Sequence, residues 1–221
     1  MISPSKSILP HILLGSVVLL APLVSPAAGQ TETGPSLRET KTGMVWVWMS
    51  GGPFVYGCPG GDCERPTQAP PQAVHLPGFW MGRGRVTVAE YQACVADGAC
   101  SSRSGQRWCH NTQPSSPVTC VAYPQAEAFC SWVGGALPTE LQWEFAADAG
   151  YNMNWEYGVD FNGHSHGATE WAIPSAPFPQ GHMAARGGEP DMEPMYNSDR
   201  GSATPELQTG NIGFRCVRGT P

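Results

Sequence analysis

Apolar and polar positions alternate with a helical period in three segments of the chain. The first segment follows Thr87 and Glu90, whose spacing is that of a capping box. The hydroxyl and the carboxylate of such a pair bond the backbone amides that a first helical turn leaves without partners. The pattern predicts a helix over 88–97, which Gly98 ends.

The other two helical segments carry similar boundary signals. Pro124 suits a first helical turn, and the apolar stripe after it ends at the glycine pair that begins with Gly134. Thr139 and Gln142 repeat the capping pattern, and Gly150 is expected to end the helix that follows.

The remaining pattern favours short strands. Segments 45–49 and 54–56 are rich in branched and aromatic residues and flank a glycine-proline turn, whereas 57–73 reads as a loop. After residue 150 no helical period returns. Strands, three modest helices and then irregular β structure predict a fold of the α+β class.

The N-terminal region has the pattern of a secretory signal peptide. Lys6 precedes a mostly apolar run over 8–24, and small residues follow. The prediction is a signal peptide over 1–29, a flexible leader over 30–43 and one domain over 44–221.

The alternative to a signal peptide is a membrane anchor. Two prolines interrupt the apolar run, which is shorter than the roughly 20 residues of a spanning helix. We therefore expect cleavage after Ala28 or Gly29, no membrane attachment afterwards, and a secreted or periplasmic protein.

Composition narrows the class of partner. The 221 residues include 27 Gly and 22 Pro, only 14% are charged, and the formal net charge is -6. A nucleic-acid-binding surface needs a dense positive field, so no nucleic-acid partner is expected. The low charge and high Gly and Pro content also disfavour coiled coils and solvated disorder.

The cysteines indicate an oxidising compartment. All eight follow residue 57, and an even number in an exported chain predicts four disulfides, with a zinc cluster as the alternative. Cys58 and Cys63 are expected to clip their loop. Four others can pair in three ways, which the sequence leaves open; they are Cys94, Cys100, Cys109 and Cys120.

Nearly the whole of 44–218 resembles the formylglycine-generating-enzyme-like, or sulfatase-modifying-factor-like, domain, whose fold is similar to a decorated C-type lectin. The strongest signals are Leu-Pro-Thr-Glu at 137–140 and Gly-Phe-Arg-Cys at 213–216. The resemblance implies a disulfide between Cys130 and Cys216. The matching segments are 44–54, 86–91, 117–118, 121–123, 129–132, 137–140, 143–146, 170–171, 186–188 and 211–216.

The resemblance also shows what this chain lacks. Enzymes of the family oxidise a substrate cysteine with oxygen, using two cysteines that bind copper shortly after an Arg-Gly-Gly motif. Here that motif is 186–188, and 189–200 contains no cysteine. The Cu(I) ion of these enzymes is bound by thiolates, so the copper oxidase activity is expected to be lost. Met192 and Met195 are soft thioethers in this segment; they are expected to be ordinary loop or packing residues, and a weak copper site is the alternative.

Further departures point in the same direction. Ala136 stands where the family has arginine, and His166-Gly167 replaces a Gly-Asn that supplies an amide ligand. Only 27 residues lie between Trp143 and Trp171, which implies that a calcium-binding loop is missing.

Two groups of residues are candidates for other chemistry. Glu140 and Glu144 could act as acid and base, but their place in the first turns of a helix favours interactions with the helix dipole and neighbouring backbone. On a strand, His164 and His166 would share a face and could bind a metal, with Glu170 or His182 completing the set. The alternative for the histidines is two polar loop residues.

The aromatic content suggests a third possibility, a binding face for glycans or peptides. Rings offer contact area at low entropic cost, although most of them are expected in the core. Candidates for a surface cluster are Trp155, Tyr157, Phe161, Trp171, Phe178 and Tyr196.

The sequence therefore favours an exported domain of this family that has no copper oxidase activity and acts as a binding or structural module. The alternatives are a metal-dependent tailoring enzyme on the same scaffold, similar to exported siderophore-maturing relatives, and a formylglycine-generating oxidase.

Overall fold

Three helices form where the apolar pattern and its boundary signals predict them. They are α1 (Val88–Ala96), α2 (Tyr123–Trp132) and α3 (Glu140–Asp148). The computed structural model describes residues 35–58, 69–106, 109, 112–148, 164–165, 169–187, 195–196 and 200–219, with backbone alone for 164–165 and 195–196.

Side-chain caps set the helix starts. The Glu90 amide donates to Thr87 Oγ1 at 3.3 Å, and the Thr87 amide donates to the Glu90 carboxylate at 2.7 Å. Thr139 and Gln142 repeat this exchange ahead of α3, at 3.0 and 3.1 Å. Both predicted capping boxes are confirmed. The predicted terminator of α3, Gly150, lies outside the described residues.

The strands are short, as the sequence predicts. Two four-stranded sheets form, ordered β1-β2-β5-β12 and β10-β8-β7-β11, with two-stranded pairs β3-β4 and β6-β9. The bounds are β1 (Ser36–Arg38), β2 (Val45–Met49), β3 (Gly52–Tyr56), β4 (Gln72–Leu76), β5 (Phe79–Gly82), β6 (His164–Ser165), β7 (Thr169–Ala172), β8 (Met183–Arg186), β9 (Met195–Tyr196), β10 (Gly201–Ala203), β11 (Ile212–Gly213) and β12 (Val217–Arg218).

Part of the predicted flexible leader is a strand. Leu37 of β1 pairs with Trp46 of β2 in antiparallel register, and all three β1 residues are exposed. An exposed edge strand buries no side-chain face, so the hydrophobic pattern carries no signal for it. β1 instead pairs through backbone hydrogen bonds with the N–H and C=O groups at the free edge of β2.

The first four-stranded sheet packs on both faces. Trp46 faces one apolar cluster, which includes residues of α1 and α2, whereas Met49 and Met81 face a second cluster that includes residues of α3. All three of these side chains are fully buried. Strands and helices thus enclose two apolar regions, and the α+β class predicted from the sequence is confirmed.

Three disulfides join the described residues: Cys94–Cys100, Cys109–Cys120 and Cys130–Cys216. The first two choose one of the three pairings that the sequence leaves open. The third confirms the bridge that the family resemblance implies and ties α2 to the segment before β12. Cys58 is also disulfide-bonded, while its expected partner, Cys63, lies outside the described residues.

The cross-links and sheets leave α3 in a particular position. It packs against β3 and β8, so it lies between the β3–β4 pair and the second four-stranded sheet. None of the helices in the described part of the chain is long and apolar enough to cross a membrane.

Candidate functional site: a buried carboxylate and arginine cluster

Two carboxylates one turn apart on α3 are fully buried. Glu140 and Glu144 both have 0% exposed area, which is unusual for glutamate unless it is paired. The guanidinium of Arg186, at the end of β8, is equally buried and donates to both carboxylates. One guanidinium thus lies between two buried acids and offsets part of their negative charge.

Glu140 accepts hydrogen bonds from several residues that lie outside α3. Its carboxylate accepts two hydrogen bonds from Arg200, from Nε at 2.8 Å and from Nη2 at 2.7 Å. It also accepts from the backbone N–H of Ser175 at 2.8 Å and from the hydroxyl of that residue at 2.9 Å. Arg186 Nη1 lies 3.2 Å away. Glu140 thus anchors the segments on either side of β8 to α3.

Glu144 anchors a third segment. Its Oε1 accepts from the backbone N–H of Gly57, at the end of β3, and its Oε2 accepts from Arg186 Nη2. Gly57 has φ +89°, and an added Cβ would collide with backbone atoms of Ala69 and Pro70. This position therefore requires glycine, and its amide points at the carboxylate.

The environment moves the pKa values of the two carboxylates apart. For Glu140, burial alone would raise the pKa, but the hydrogen bonds from Arg200 and the charge of Arg186 together lower it. For Glu144, burial outweighs Arg186 and the Gly57 amide and raises the pKa to about 7. The difference arises because Glu140 has two arginines and Glu144 shares one.

A second buried ion pair lies on β7. Glu170, 3% exposed, accepts two hydrogen bonds from Arg215, both at 2.7 Å, and one from Trp143 Nε1 at 3.2 Å. Arg215 belongs to the Gly-Phe-Arg-Cys segment and Trp143 to α3, so this pair joins α3, the second sheet and the C-terminal segment.

The cluster is suited to holding the fold together. Its carboxylate oxygens are engaged by arginine, backbone amide or hydroxyl donors. Among these donors Ser175 is exposed and Arg200 is partly exposed, with 18% of its side chain accessible. A buried pair of this kind is costly to break, because removing one partner leaves an uncompensated charge. General acid-base work by Glu140 or Glu144 would need contact with a substrate, and in the described residues neither reaches the surface.

This arrangement agrees in part with the sequence expectation. The carboxylates do accept hydrogen bonds from backbone N–H groups, but the donors, Gly57 and Ser175, belong to segments distant along the chain. The role of Arg186, Arg200 and Arg215 is missed by sequence reasoning. A signal was available, since a chain with few charged residues places arginines within two of its family motifs, at 186–188 and 213–216.

The predicted metal set is not brought together by the described side chains. Glu170 is engaged by Arg215, and His182 Nδ1 lies 3.3 Å from Ser202 Oγ. The backbone of His164 pairs with Tyr196, but its side chain and all of His166 lie outside the described part. Among the residues that the structure describes, no group of three His, Cys, Asp or Glu could hold a metal ion.

The thiols do not fit a two-thiolate copper site. Seven of the eight cysteines are disulfide-bonded, and the segment 189–200 contains none. A Cu(I) ion held by two thiolates needs both sulfurs reduced and adjacent. With at most one further thiol in the chain, the ligand set of the copper oxidases is missing.

The predicted aromatic surface cluster is partly wrong. Trp171 is fully buried, and its Nε1 donates to the carbonyl of Val121 at 3.0 Å. Phe178 is half-buried under the guanidinium of Arg200, 4.4 Å from its ring centre. Trp171 fills the core because a fold with short strands needs large side chains between its layers. The side chains outside the described part are Trp155, Tyr157, Phe161 and Tyr196.

Comparison with known proteins identifies the scaffold. The sulfatase-modifying factor enzyme 1-like domain matches residues 29–186. Hercynine oxygenase of Mycolicibacterium smegmatis is 29% identical over 151 residues, which cover 52% of this chain and 34% of that protein. Formylglycine-generating enzyme of Mycobacterium tuberculosis is 48% identical over 42 residues, 19% of this chain and 14% of that enzyme.

A solved structure gives the same fold. PvdO from Pseudomonas aeruginosa superposes with a TM-score of 0.67 at 19% identity, covering 85% of this chain and 98% of that one. The match to the hercynine oxygenase spans about a third of that protein. On the domain match, the motif order and the fold, the chain belongs to the sulfatase-modifying factor enzyme 1-like family.

Proposed function

We propose that this chain is an exported member of the family that has no copper oxidase activity and acts as a binding or structural module. The observation that carries the proposal is the state of its sulfur atoms. Seven cysteines are used in disulfides, and none follows the Arg-Gly-Gly motif over 189–200. The buried ion pairs that hold the scaffold together are kept, so the fold is kept. The thiolates that bind Cu(I) are missing, so the copper site is lost.

Export is supported by independent features. Three disulfides join described residues, and such bonds persist in oxidising compartments. The N-terminal pattern of Lys6, an apolar run and small residues is that of a cleaved signal peptide. Both features favour a secreted or periplasmic location.

The test is a direct assay for thiol oxidation. Purified exported chain is titrated with Cu(I) and incubated in air with a sulfatase peptide that contains the target cysteine, and mass spectrometry follows the peptide. The peptide is expected to stay unchanged, while an authentic formylglycine-generating enzyme converts it in parallel. Conversion by this chain would overturn the proposal.

An enzyme of different chemistry is the second candidate, favoured by the similarity to hercynine oxygenases. It would be a metal-dependent tailoring enzyme that uses His164 and His166, with Glu170 the least available ligand because Arg215 holds it. Metal analysis of the purified chain tests it, with His164→Ala and His166→Ala compared with the exposed control His75→Ala. Bound metal that is lost only from the first two variants would favour the enzyme over the binding module.

A further inference from the structure

A surface depression lies between α1, α2 and the hairpin that joins β1 to β2. Its volume is about 480 Å³, and it is lined by Lys41, Ala93, Ala96, Asp97 and Trp132. Ala93 and Ala96 are one turn apart on α1, so their methyl groups share a face with the half-buried indole of Trp132. The depression therefore has an apolar floor in an otherwise polar region.

A carboxylate stands beside this floor. Asp97 Oδ2 accepts a hydrogen bond from Trp132 Nε1 at 2.7 Å, which fixes both side chains. The other carboxylate oxygen of Asp97 has no hydrogen-bond partner in the described part of the chain. It can accept a hydrogen bond from a ligand without breaking the one that orients it.

An ammonium group lies over the same indole. Lys41 Nζ donates to the carbonyl of Trp132 at 2.6 Å and lies 4.8 Å from the ring centre. An ammonium has three donors, so two remain for a ligand. Within the described residues Lys41 forms no ion pair with Asp97, so the two opposite charges remain available on the same apolar floor.

A ligand that fits must donate to a carboxylate and accept from an ammonium. It must also place an apolar surface on the two methyl groups and on the part of the indole that the Lys41 ammonium leaves uncovered. Neighbouring hydroxyls of a sugar ring do the first two, and the C–H face of the ring does the third. The depression is open, so a small zwitterion would leave most of its surface in water, whereas an oligosaccharide extends beyond it. The net charge of -6 disfavours polyanionic glycans.

We propose that the depression formed by Lys41, Ala93, Ala96, Asp97 and Trp132 is a binding site for a neutral glycan. Asp97 and Lys41 bond neighbouring hydroxyls, while Ala93, Ala96 and the part of Trp132 that Lys41 leaves uncovered contact the C–H face of the sugar. This inference rests on the proposed function of a binding module and names the ligand class and place of binding.

Nuclear magnetic resonance of the full exported chain tests the site. Neutral trisaccharides of glucose, mannose and N-acetylglucosamine are titrated while the indole N–H signal of Trp132 is followed. At least one trisaccharide is expected to shift that signal saturably, with a dissociation constant of about 1 mM or tighter. No shift with any of them would overturn the site.

Two pairs of variants separate binding from stability. Asp97→Asn and Lys41→Met should each weaken binding about tenfold, the effect of one lost charge-assisted hydrogen bond. Glu206→Gln and His75→Ala, on exposed residues outside the depression, should bind as the unmodified chain does. Thermal unfolding of each variant confirms that the fold is kept.

The outcomes distinguish this site from the proposed function. Binding that Asp97→Asn and Lys41→Met leave unchanged would overturn the site and keep the binding module. A stronger shift of the Trp132 signal with glycine betaine than with any trisaccharide would overturn the glycan assignment. Oxidation of the sulfatase peptide would instead overturn the proposed function.

Discussion

At the scale of single residues, the shared guanidinium of Arg186 is the position on which the charge balance of the core depends. It donates to both Glu140 and Glu144, and all three are inaccessible to water. Removal of this one cation leaves Glu144 with the Gly57 amide and Glu140 with Arg200. The buried acids then have one positive charge fewer in a region of low polarity.

Arg186→Met is therefore expected to lower the free energy of unfolding by about 3 to 5 kcal/mol, because it strands buried negative charge. Urea unfolding at pH 8, above the pKa of about 7 for Glu144, measures the loss. Arg38→Met removes an exposed arginine whose Nη1 donates to the Gly43 carbonyl at 2.8 Å, and it should lower stability by at most about 1 kcal/mol. Combining Arg186→Met with Glu144→Gln should recover part of the loss, and a loss below about 1 kcal/mol in Arg186→Met would contradict the role given to the cluster.

Glu144 also predicts a pH dependence. Its pKa rises from an ordinary value of 4.5 to about 7 in the folded chain because of burial. The folded state thus keeps a proton that the unfolded state releases between those values, so this contribution to stability is complete below about pH 4.5 and is lost as the pH rises through about 7. The loss across the window is about 3 kcal/mol.

Urea unfolding between pH 5 and pH 8 checks this sign. The Glu144→Gln variant should lack the decline, so its stability relative to the unmodified chain should rise with pH. The exposed control Glu206→Gln should follow the unmodified chain at each pH. A parallel curve for Glu144→Gln would show that Glu144 does not titrate in this range.

At the scale of elements, disulfides hold irregular segments against regular ones. The Cys130–Cys216 bridge joins α2 to the C-terminal segment across 86 residues of sequence, whereas Cys94–Cys100 closes six residues at the end of α1. A longer closed loop removes more entropy from the unfolded chain. The Cys130–Cys216 bridge should therefore contribute more to the free energy of unfolding than the Cys94–Cys100 bridge does.

Replacing Cys130 and Cys216 with alanine should lower the free energy of unfolding by about 4 to 5 kcal/mol. The pair Cys94→Ala and Cys100→Ala, equally small substitutions at buried sulfurs, should cost about 2 kcal/mol. Chemical unfolding of both double variants measures the difference. Equal losses would show that local packing, and not loop closure, sets the contribution of each bridge.

At the scale of the whole molecule, the proposed export and signal-peptide cleavage define the residues of the mature protein. Cleavage after Ala28 or Gly29 removes Lys6 and leaves Lys41 as the remaining lysine. Lys41 is also the ammonium of the α1–α2 depression. The mature, exported chain therefore keeps the ammonium group of the proposed ligand site, and the same protein preparation serves to test both cleavage and binding.

Expression with export is expected to yield a mature chain that begins at Gly29 or Gln30, because the small residues before these positions suit signal cleavage. Intact mass and N-terminal sequencing measure it. Labelling with an amine reagent should then modify the new N-terminus and Lys41. A chain of unprocessed mass in the membrane fraction would support the anchor that the sequence leaves as the alternative.

The sequence by itself determined the local elements, since their causes are local. Thr87 with Glu90 and Thr139 with Gln142 start helices where these pairs occur, and hydrogen bonds within one turn are enough to do so. The α+β class and the Cys130–Cys216 bridge were likewise accessible, the first from pattern and the second from family resemblance.

The tertiary structure alone decided which distant groups meet. The pairing of Glu140 and Glu144 with Arg186 and the burial of Trp171 join segments far apart along the chain. The exposed strand Ser36–Arg38 pairs with the nearby strand Val45–Met49, but it buries no side chain that the sequence pattern could show. No local pattern encodes such contacts, because the energy of a buried charge or ring depends on what surrounds it after folding. The sequence thus indicated a scaffold without copper thiolates, and the fold showed how its acids and arginines are used.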